Sequence, residues 1–105
     1  MTDAFAVRVG KFEGPLELLL ELVEERELHI NQISLATVAD SFLEYLKKLA
    51  KPEMNMLGNF VVVASTLILI KSISLLPTLA VTDEEAEQIG DLERRLKLYQ
   101  LIRQV

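Results

Sequence analysis

The side chains best suited to chemistry in this chain are one histidine and a set of carboxylates. His29 is the only histidine and there is no cysteine, which excludes disulfides, thiolate zinc sites and cysteine nucleophiles. A single imidazole without a partner motif is typical of a connector side chain that hydrogen-bonds locally. Neighbouring carboxylates such as Glu24 and Glu25 belong on a solvated helix surface. Because no metal-ligand spacing is present either, we predict no metal site and no cofactor.

The sequence also lacks the short motifs that position a nucleophile or a phosphate group. It contains no G-x-S-x-G turn and no glycine-rich phosphate loop, and the Gly14-Pro15 pair is typical of a turn that opens a helix. An enzyme would require buried and paired titratable groups. We therefore predict a protein that is not an enzyme, has no catalytic residue and acts by binding a partner.

The charge of the chain argues against a nucleic-acid-binding protein. The formal net charge is -5 over 105 residues, whereas phosphate binding requires clustered lysine and arginine. Two short basic clusters lie among acidic residues. The first contains Lys47, Lys48 and Lys51, and the second contains Arg94, Arg95 and Lys97. Mixed charge of this kind is typical of a solvated helix face. We expect no direct binding of nucleic acid.

Length and terminal composition bear on domain organisation and location. A chain of 105 residues suffices for one domain, so residues 1–105 are predicted to form a single unit. The N-terminus has neither the basic nor the apolar region of a signal peptide, which favours the cytoplasm. Residues 56–76 approach the length of a membrane span, but Lys71 and several polar side chains interrupt them. We therefore expect no membrane insertion.

Apolar periodicity and helix signals predict an all-α fold, a small bundle of about four helices with a short extended β-like segment at the N-terminus. Apolar residues alternate over residues 5–12, which is the period of a strand. The first helix is predicted for residues 15–26, because proline suits a first turn. The second begins after a cap at Asn31 or Ser34 and ends before Pro52.

The third helix, predicted for residues 56–76, differs because apolar residues occupy two of its faces. With successive residues about 100° apart around the axis, one broad face carries Leu57, Phe60, Ala64, Leu67, Ile68 and Leu75. The opposite side carries Val62, Thr66, Leu69, Ile73 and Leu76. A helix that is apolar all round is normally covered all round, and a bundle this small has little protein to cover both faces. We predict that the second of these faces binds a partner.

The last helix is predicted to begin at a capping box formed by Thr82 and Glu85. Gly90 and Asp91 allow this helix to break into two pieces. Two apolar stripes follow, a first and a weaker second. The first contains Ile89, Leu92, Leu96, Tyr99 and Ile102, and the second contains Leu98, Leu101 and Val105.

Three short motifs occur in order along residues 12–77. The first is F-E-G-P-L-E-L-L-L at residues 12–20, and the second combines L-H-I at residues 28–30 with F-L-E-Y-L at residues 42–46. The third is K-S-I-S-L-L-P at residues 71–77. Together they resemble the opening motifs of the segregation and condensation protein A family, the bacterial kleisins, whose pattern is F-x-G-P-L-D-L-L-L, then L-D-I and Y-L, then a K-S-R-x-L-L-P-like run.

The sequence departs from this family pattern at three positions. His29 stands in place of the usual aspartate, and Ile73 stands in place of arginine or lysine. Leu69 occupies a position that is often polar or charged in the family. The last two departures make the second face of the third helix more apolar than the family pattern implies.

The resemblance implies a kleisin N-terminal module that binds the coiled-coil neck of an SMC ATPase in chromosome condensation and segregation, located in the cytoplasm and associated with the chromosome. It also implies a longer chain, in which later regions bind segregation and condensation protein B and an SMC head. The residues alone leave another interpretation open. In that interpretation, the second face of the third helix is covered by the last helix or by a second copy in a homodimer.

Overall fold

The computed structural model describes residue 12, residues 14–49 and residues 58–104, and within these ranges it contains four α-helices and no strand. The helices are α1 (Pro15–Glu25), α2 (Gln32–Leu49), α3 (Gly58–Leu75) and α4 (Asp83–Arg103). The predicted all-α bundle is confirmed. The extended segment predicted for residues 5–12 lies outside the described residues except for Phe12, and so does the predicted start of the third helix at residues 56 and 57.

A Schellman turn ends α1 and directs the chain back into the core. Glu27 has a φ of 57°, the left-handed region that glycine usually occupies after a helix. The N–H of Leu28 donates to the carbonyl of Val23, and the N–H of Glu27 donates to that of Glu24, each at 3.0 Å. The chain then buries Ile30.

Side-chain caps begin α2 and α4 at the predicted residues. At α2, the N–H of Ser34 donates to Oδ1 of Asn31 at 2.8 Å. At α4, the N–H of Glu85 donates to the hydroxyl of Thr82 and the N–H of Thr82 donates to the carboxylate of Glu85, both at 3.0 Å. This reciprocal pair is the predicted capping box. The first turn of each helix is therefore specified locally.

A single hydrophobic core lies between the four helices. Its most completely buried side chains are Phe42, Leu18, Leu19, Leu20, Leu35, Leu67, Ile70, Leu96, Val23 and Val38. At one end of the bundle, Phe12 packs edge-on against Tyr45 with ring centroids 5.4 Å apart. The most extensive packing is between α2 and α3, while α4 lies against both α1 and α3.

The structure shows which side of the third helix is buried. The buried side chains of α3 are Phe60, Val63, Ala64, Thr66, Leu67 and Ile70. Ile68 and Leu75, which the sequence grouped on one face with Phe60 and Leu67, are 51% and 67% exposed. The buried arc is rotated away from them because α4 packs beside Val63 and Thr66, with which its residues share a groove.

α4 departs from its prediction in two respects. It runs without interruption through Gly90, because Ile89 and Leu92 on either side are both buried in the core. Ile102, predicted to lie on the first stripe, is 62% exposed. It instead shares the outer side of the helix with Leu98, one turn earlier.

Candidate functional site

The side of α3 that faces away from the bundle is largely apolar and exposed. We call it the outward face, and its members are Val61, Val62, Ser65, Ile68, Leu69, Ser72, Leu75 and Leu76. Leu76 follows the helix, but its N–H still donates to the carbonyl of Ser72 at 2.9 Å, which continues the helical turn. Exposed apolar patches on small proteins mark sites of interaction, so this face is the candidate site.

The apolar members of the outward face form two rows with the same spacing. One row is Val61, Ile68 and Leu75, and the other is Val62, Leu69 and Leu76. Each row repeats every seventh residue, the period at which helices pack along one another in coiled coils. The arrangement therefore suits a helical partner that lies along α3.

Two serines separate the rows and need no partner of their own. The hydroxyl of Ser65 donates to the carbonyl of Val61 at 3.0 Å, and that of Ser72 donates to the carbonyl of Ile68 at 2.9 Å. Hydroxyls bonded back to their own helix add no unsatisfied donor to a buried surface. The strip between the rows can be covered without loss of these hydrogen bonds.

The structure divides the five residues that the sequence proposed for partner binding. Val62 and Leu76 are 63% and 58% exposed. Leu69 and Ile73 are half-buried and pack against the core. Thr66 is buried, with its hydroxyl 3.4 Å from the carbonyl of Val62. Val62 and Leu76 are thus exposed on the outward face, Leu69 and Ile73 lie at its border with the core, and Thr66 is turned towards the bundle.

Three exposed residues of this face were missed by the sequence reasoning. They are Val61, Ile68 and Leu75. Their spacing matches that of the row beginning at Val62, and this repeat was a usable signal. Two of them, Ile68 and Leu75, were instead grouped with Phe60 and Leu67 on the other face, because the position of α4 cannot be read from α3 alone.

The outward face itself carries no charge, and ion pairs lie beside it. On the α2 side, the ammonium of Lys71 bonds to the carboxylate of Asp40. On the α4 side, Arg95 lies 3.6 Å from Asp91, and both line a groove with Val62. An apolar strip with polar edges is the usual composition of a protein interface.

Two shallow grooves flank the start of this face, beside Val62. One, of about 340 Å³, lies where the first turn of α1 meets α3 and α4, and Tyr99 forms part of its wall. The other, of about 250 Å³, runs between α3 and α4 next to Gln88. Both are open rather than enclosed, and each is large enough for a side chain of a partner.

Residues suited to metal binding or catalysis are dispersed over the described part of the chain. No three His, Cys, Asp or Glu side chains within it are grouped to hold a metal ion. His29 is exposed in the connector between α1 and α2.

By length and composition alone, α3 also qualifies as a membrane-crossing helix. Its 18 residues have a mean hydropathy of 1.7, and 33% of them are buried within the bundle. The core helix of a soluble protein meets the same criteria. Lys71 of this helix pairs with Asp40 on α2, and a charged side chain makes insertion of the segment costly.

Comparison with known proteins identifies the family. The family model described as "Segregation and condensation protein ScpA" matches residues 22–104. The chain belongs to the segregation and condensation protein A family. The resemblance inferred from the three motifs is therefore confirmed.

Curated members of the segregation and condensation protein A family align with nearly the whole chain. The protein of that name from Halothermothrix orenii is 38% identical over 96% of this chain and 42% of its own length. The one from Myxococcus xanthus is 37% identical over 93% of this chain and 38% of its own length. The chain thus spans about two fifths of these relatives. No solved structure is significantly similar to it.

Proposed function

We propose that this chain is the kleisin module that binds the coiled-coil neck of an SMC ATPase through the outward face of α3. The observation that carries the proposal is this exposed, uncharged face with its two seven-residue rows, in a member of the segregation and condensation protein A family. The module acts in chromosome condensation and segregation, in the cytoplasm and on the chromosome. It binds and positions its partner and performs no catalysis.

The geometry of α3 suits a neck built from long helices. The apolar positions of a coiled-coil helix recur in a seven-residue repeat, and the two rows on α3 repeat every seven residues as well. A helix of the neck that lies along α3 would place its apolar side chains between the rows and over Ser65 and Ser72. The small serine side chains permit a close approach of the two backbones.

The exposed side chains of the outward face supply most of the binding free energy in this proposal. Those at least half exposed are Val61, Val62, Ile68, Leu75 and Leu76. Since part of each is already covered, complete burial contributes roughly 1 kcal/mol per residue. The sum is on the order of 5 kcal/mol, and the loss of translational and rotational freedom offsets much of it. The neck must therefore make further contacts, for which the grooves beside Val62 are available.

The five residues named from the sequence have two roles in this proposal. Val62 and Leu76, with the half-buried Leu69 and Ile73, contact the neck directly. Thr66 supports the rotation of α3 by packing towards the bundle. Leu69 and Ile73 differ from the family pattern, so the contact made by this protein is more apolar than the pattern implies.

The same proposal includes partners that bind elsewhere on a longer chain. The relatives are more than twice the length of the region that matches. We propose that segregation and condensation protein B binds through regions that are not among these 105 residues. The outward face of α3 is reserved for the SMC neck.

A homodimer through α3 is the second candidate function. The outward face carries no charge that would repel a second copy of itself, and a two-fold axis would place like residues opposite one another. Such a dimer would cover the same side chains that the neck covers. The two candidates therefore compete for one surface and can be separated by one set of variants.

The test is a binding titration with a purified fragment that contains an SMC head and its neck. Ile68→Glu introduces a carboxylate on the outward face, at a side chain that is 51% exposed. We expect this variant to bind the fragment at least about tenfold more weakly, since tenfold corresponds to about 1.4 kcal/mol. Leu101→Glu is the matched control, because its side chain is 62% exposed on a different helix. The control should bind like the unmodified chain.

Two results would overturn the neck-binding proposal. One is the absence of a complex between the unmodified chain and the fragment at micromolar concentrations. The other is an equal effect of Ile68→Glu and Leu101→Glu. The homodimer becomes the preferred function if two results are found together. The unmodified chain would form no complex with the SMC fragment, and sedimentation would show a dimer that Ile68→Glu dissociates.

A further inference from the structure

A second exposed surface lies on the outer side of α4, where charges are segregated along the helix. Residues 83–93 contain six acidic and no basic residues, whereas residues 94–104 contain four basic and no acidic residues. Acids at the start and bases at the end of a helix both complement its dipole. That effect acts within the terminal turn, however, and the basic residues here begin more than two turns before the helix ends at Arg103.

Three large apolar side chains are exposed within this basic half of α4. Leu98, Leu101 and Ile102 are 57%, 62% and 62% exposed. Their spacing, i, i+3 and i+4, puts them on one stripe of the helix. Together they form a compact apolar patch, which we call the α4 patch.

The α4 patch faces away from the bundle because the opposite side of the helix is anchored. Leu92 and Leu96 are buried in the core. The side-chain amide of Gln100 donates to the carboxylate of Glu24 on α1 at 3.2 Å. These contacts hold α4 with the α4 patch on its outer side.

The basic residues around the patch differ in whether an acidic side chain pairs with them. Arg94 donates to Glu87 at 3.1 Å, and Arg95 lies 3.6 Å from Asp91. Both pairs are exposed and therefore weak. Lys97, next to Leu98, makes no ion pair within the described ranges. The patch is thus bordered by positive charge in a chain whose net charge is -5.

We propose that the α4 patch is a docking site for an acidic amphipathic helix of a partner protein. An i, i+3, i+4 apolar stripe packs against the apolar stripe of another helix, and the flanking cations select a partner whose stripe is bordered by Glu or Asp. The site is separate from the outward face of α3 and does not depend on the function proposed for that face.

Composition and charge favour this occupant over a nucleic acid and over a second copy of the chain. A duplex or an anionic membrane would also attract the cations, so both are included as alternative ligands in the test below. Three apolar side chains in the centre of the patch also contribute nothing to phosphate binding. In a homodimer centred on the patch, the basic segments of two copies would lie together, and like charges at an interface are unfavourable.

The experiment uses two designed peptides as probes for the 105-residue chain. Both are amphipathic helices of three heptads with leucine at positions a and d, and they differ only in having Glu or Lys at positions e and g. Binding is followed by fluorescence anisotropy of the labelled peptide. We expect the Glu peptide to bind and the Lys peptide to bind at least about tenfold more weakly, with salt weakening the Glu complex.

Variants of the chain assign the binding to the patch. Leu101→Ser and Lys97→Glu should each weaken binding of the Glu peptide several-fold. Lys97→Glu should also reduce the difference in affinity between the Glu peptide and the Lys peptide. Both side chains are exposed, so circular dichroism should show an unchanged fold. Ile68→Ser, on the outward face of α3, is the matched control and should bind like the unmodified chain.

Several outcomes would overturn this proposal. They include equal binding of the two peptides, no binding of the Glu peptide, and an Ile68→Ser effect as large as that of Leu101→Ser. Leu101-dependent binding to a DNA duplex or to phosphatidylserine vesicles, with none to the Glu peptide, would reassign the patch to that ligand. A dimer of the unmodified chain that Leu101→Ser dissociates would reassign it to a second copy.

Discussion

Two neighbouring residues of α3 should respond very differently to truncation. Leu67 is 0% exposed at the centre of the core, whereas Ile68 is 51% exposed on the outward face. Replacing each with alanine removes aliphatic carbons from adjacent positions of one helix. The comparison therefore tests how α3 is rotated within the bundle, which decides which side chains can reach a partner.

The expected magnitudes follow from burial. Leu67→Ala leaves a cavity in a packed core, and such changes cost about 2–5 kcal/mol of unfolding free energy. At Ile68 about half of the side chain is already in water, so the lost burial is worth roughly 1 kcal/mol. Alanine also favours the helix over isoleucine by a few tenths of a kcal/mol. We expect Ile68→Ala to cost less than about 1 kcal/mol.

The assay is urea unfolding followed by circular dichroism, with both variants measured beside the unmodified chain. A chain of this length is expected to unfold in a two-state transition. Equal slopes of free energy against urea would show that the midpoint shifts report stability. An equal loss of unfolding free energy in the two variants, or a larger loss for Ile68→Ala, would refute the rotation of α3 described above. The assignment of the outward face would then be wrong as well.

Two further predictions concern the ends of helices and use the same unfolding assay. Thr82→Ala removes the side-chain acceptor of the capping box and should cost about 1 kcal/mol; no measurable loss would mean that the box does not hold the start of α4. Glu27→Gly should stabilise the chain by about 0.5–1 kcal/mol, because glycine adopts the left-handed conformation at this position without a side-chain penalty; destabilisation would show that the native φ at this position is not positive.

Local sequence signals were sufficient for much of the fold. Thr82 was identified as a cap, and Asn31 as one of two candidates with Ser34, because their side chains satisfy backbone groups within the next turn, which requires no knowledge of the rest of the chain. The family was also identified from short motifs, of which the Gly14-Pro15 helix start is one.

The candidate site was predicted only in part. Val62 and Leu76 were placed on a partner-binding face and are exposed. Thr66 was placed on the same face but is buried beside α4. Ile68 and Leu75 were grouped on the other face with Phe60 and Leu67 but are exposed. These differences share one cause: α3 is apolar on every side, so its own residues do not specify its rotation.

For this protein, the amino-acid sequence alone determined the helices, their caps and the family. Each of those properties depends on residues that are near one another along the chain. The tertiary structure decided which apolar side chains of α3 and α4 are covered and which are free to bind. That choice depends on where each helix lies against the others, as the anchoring of Gln100 to Glu24 shows. Contacts between residues so distant in sequence leave no local pattern from which they can be read.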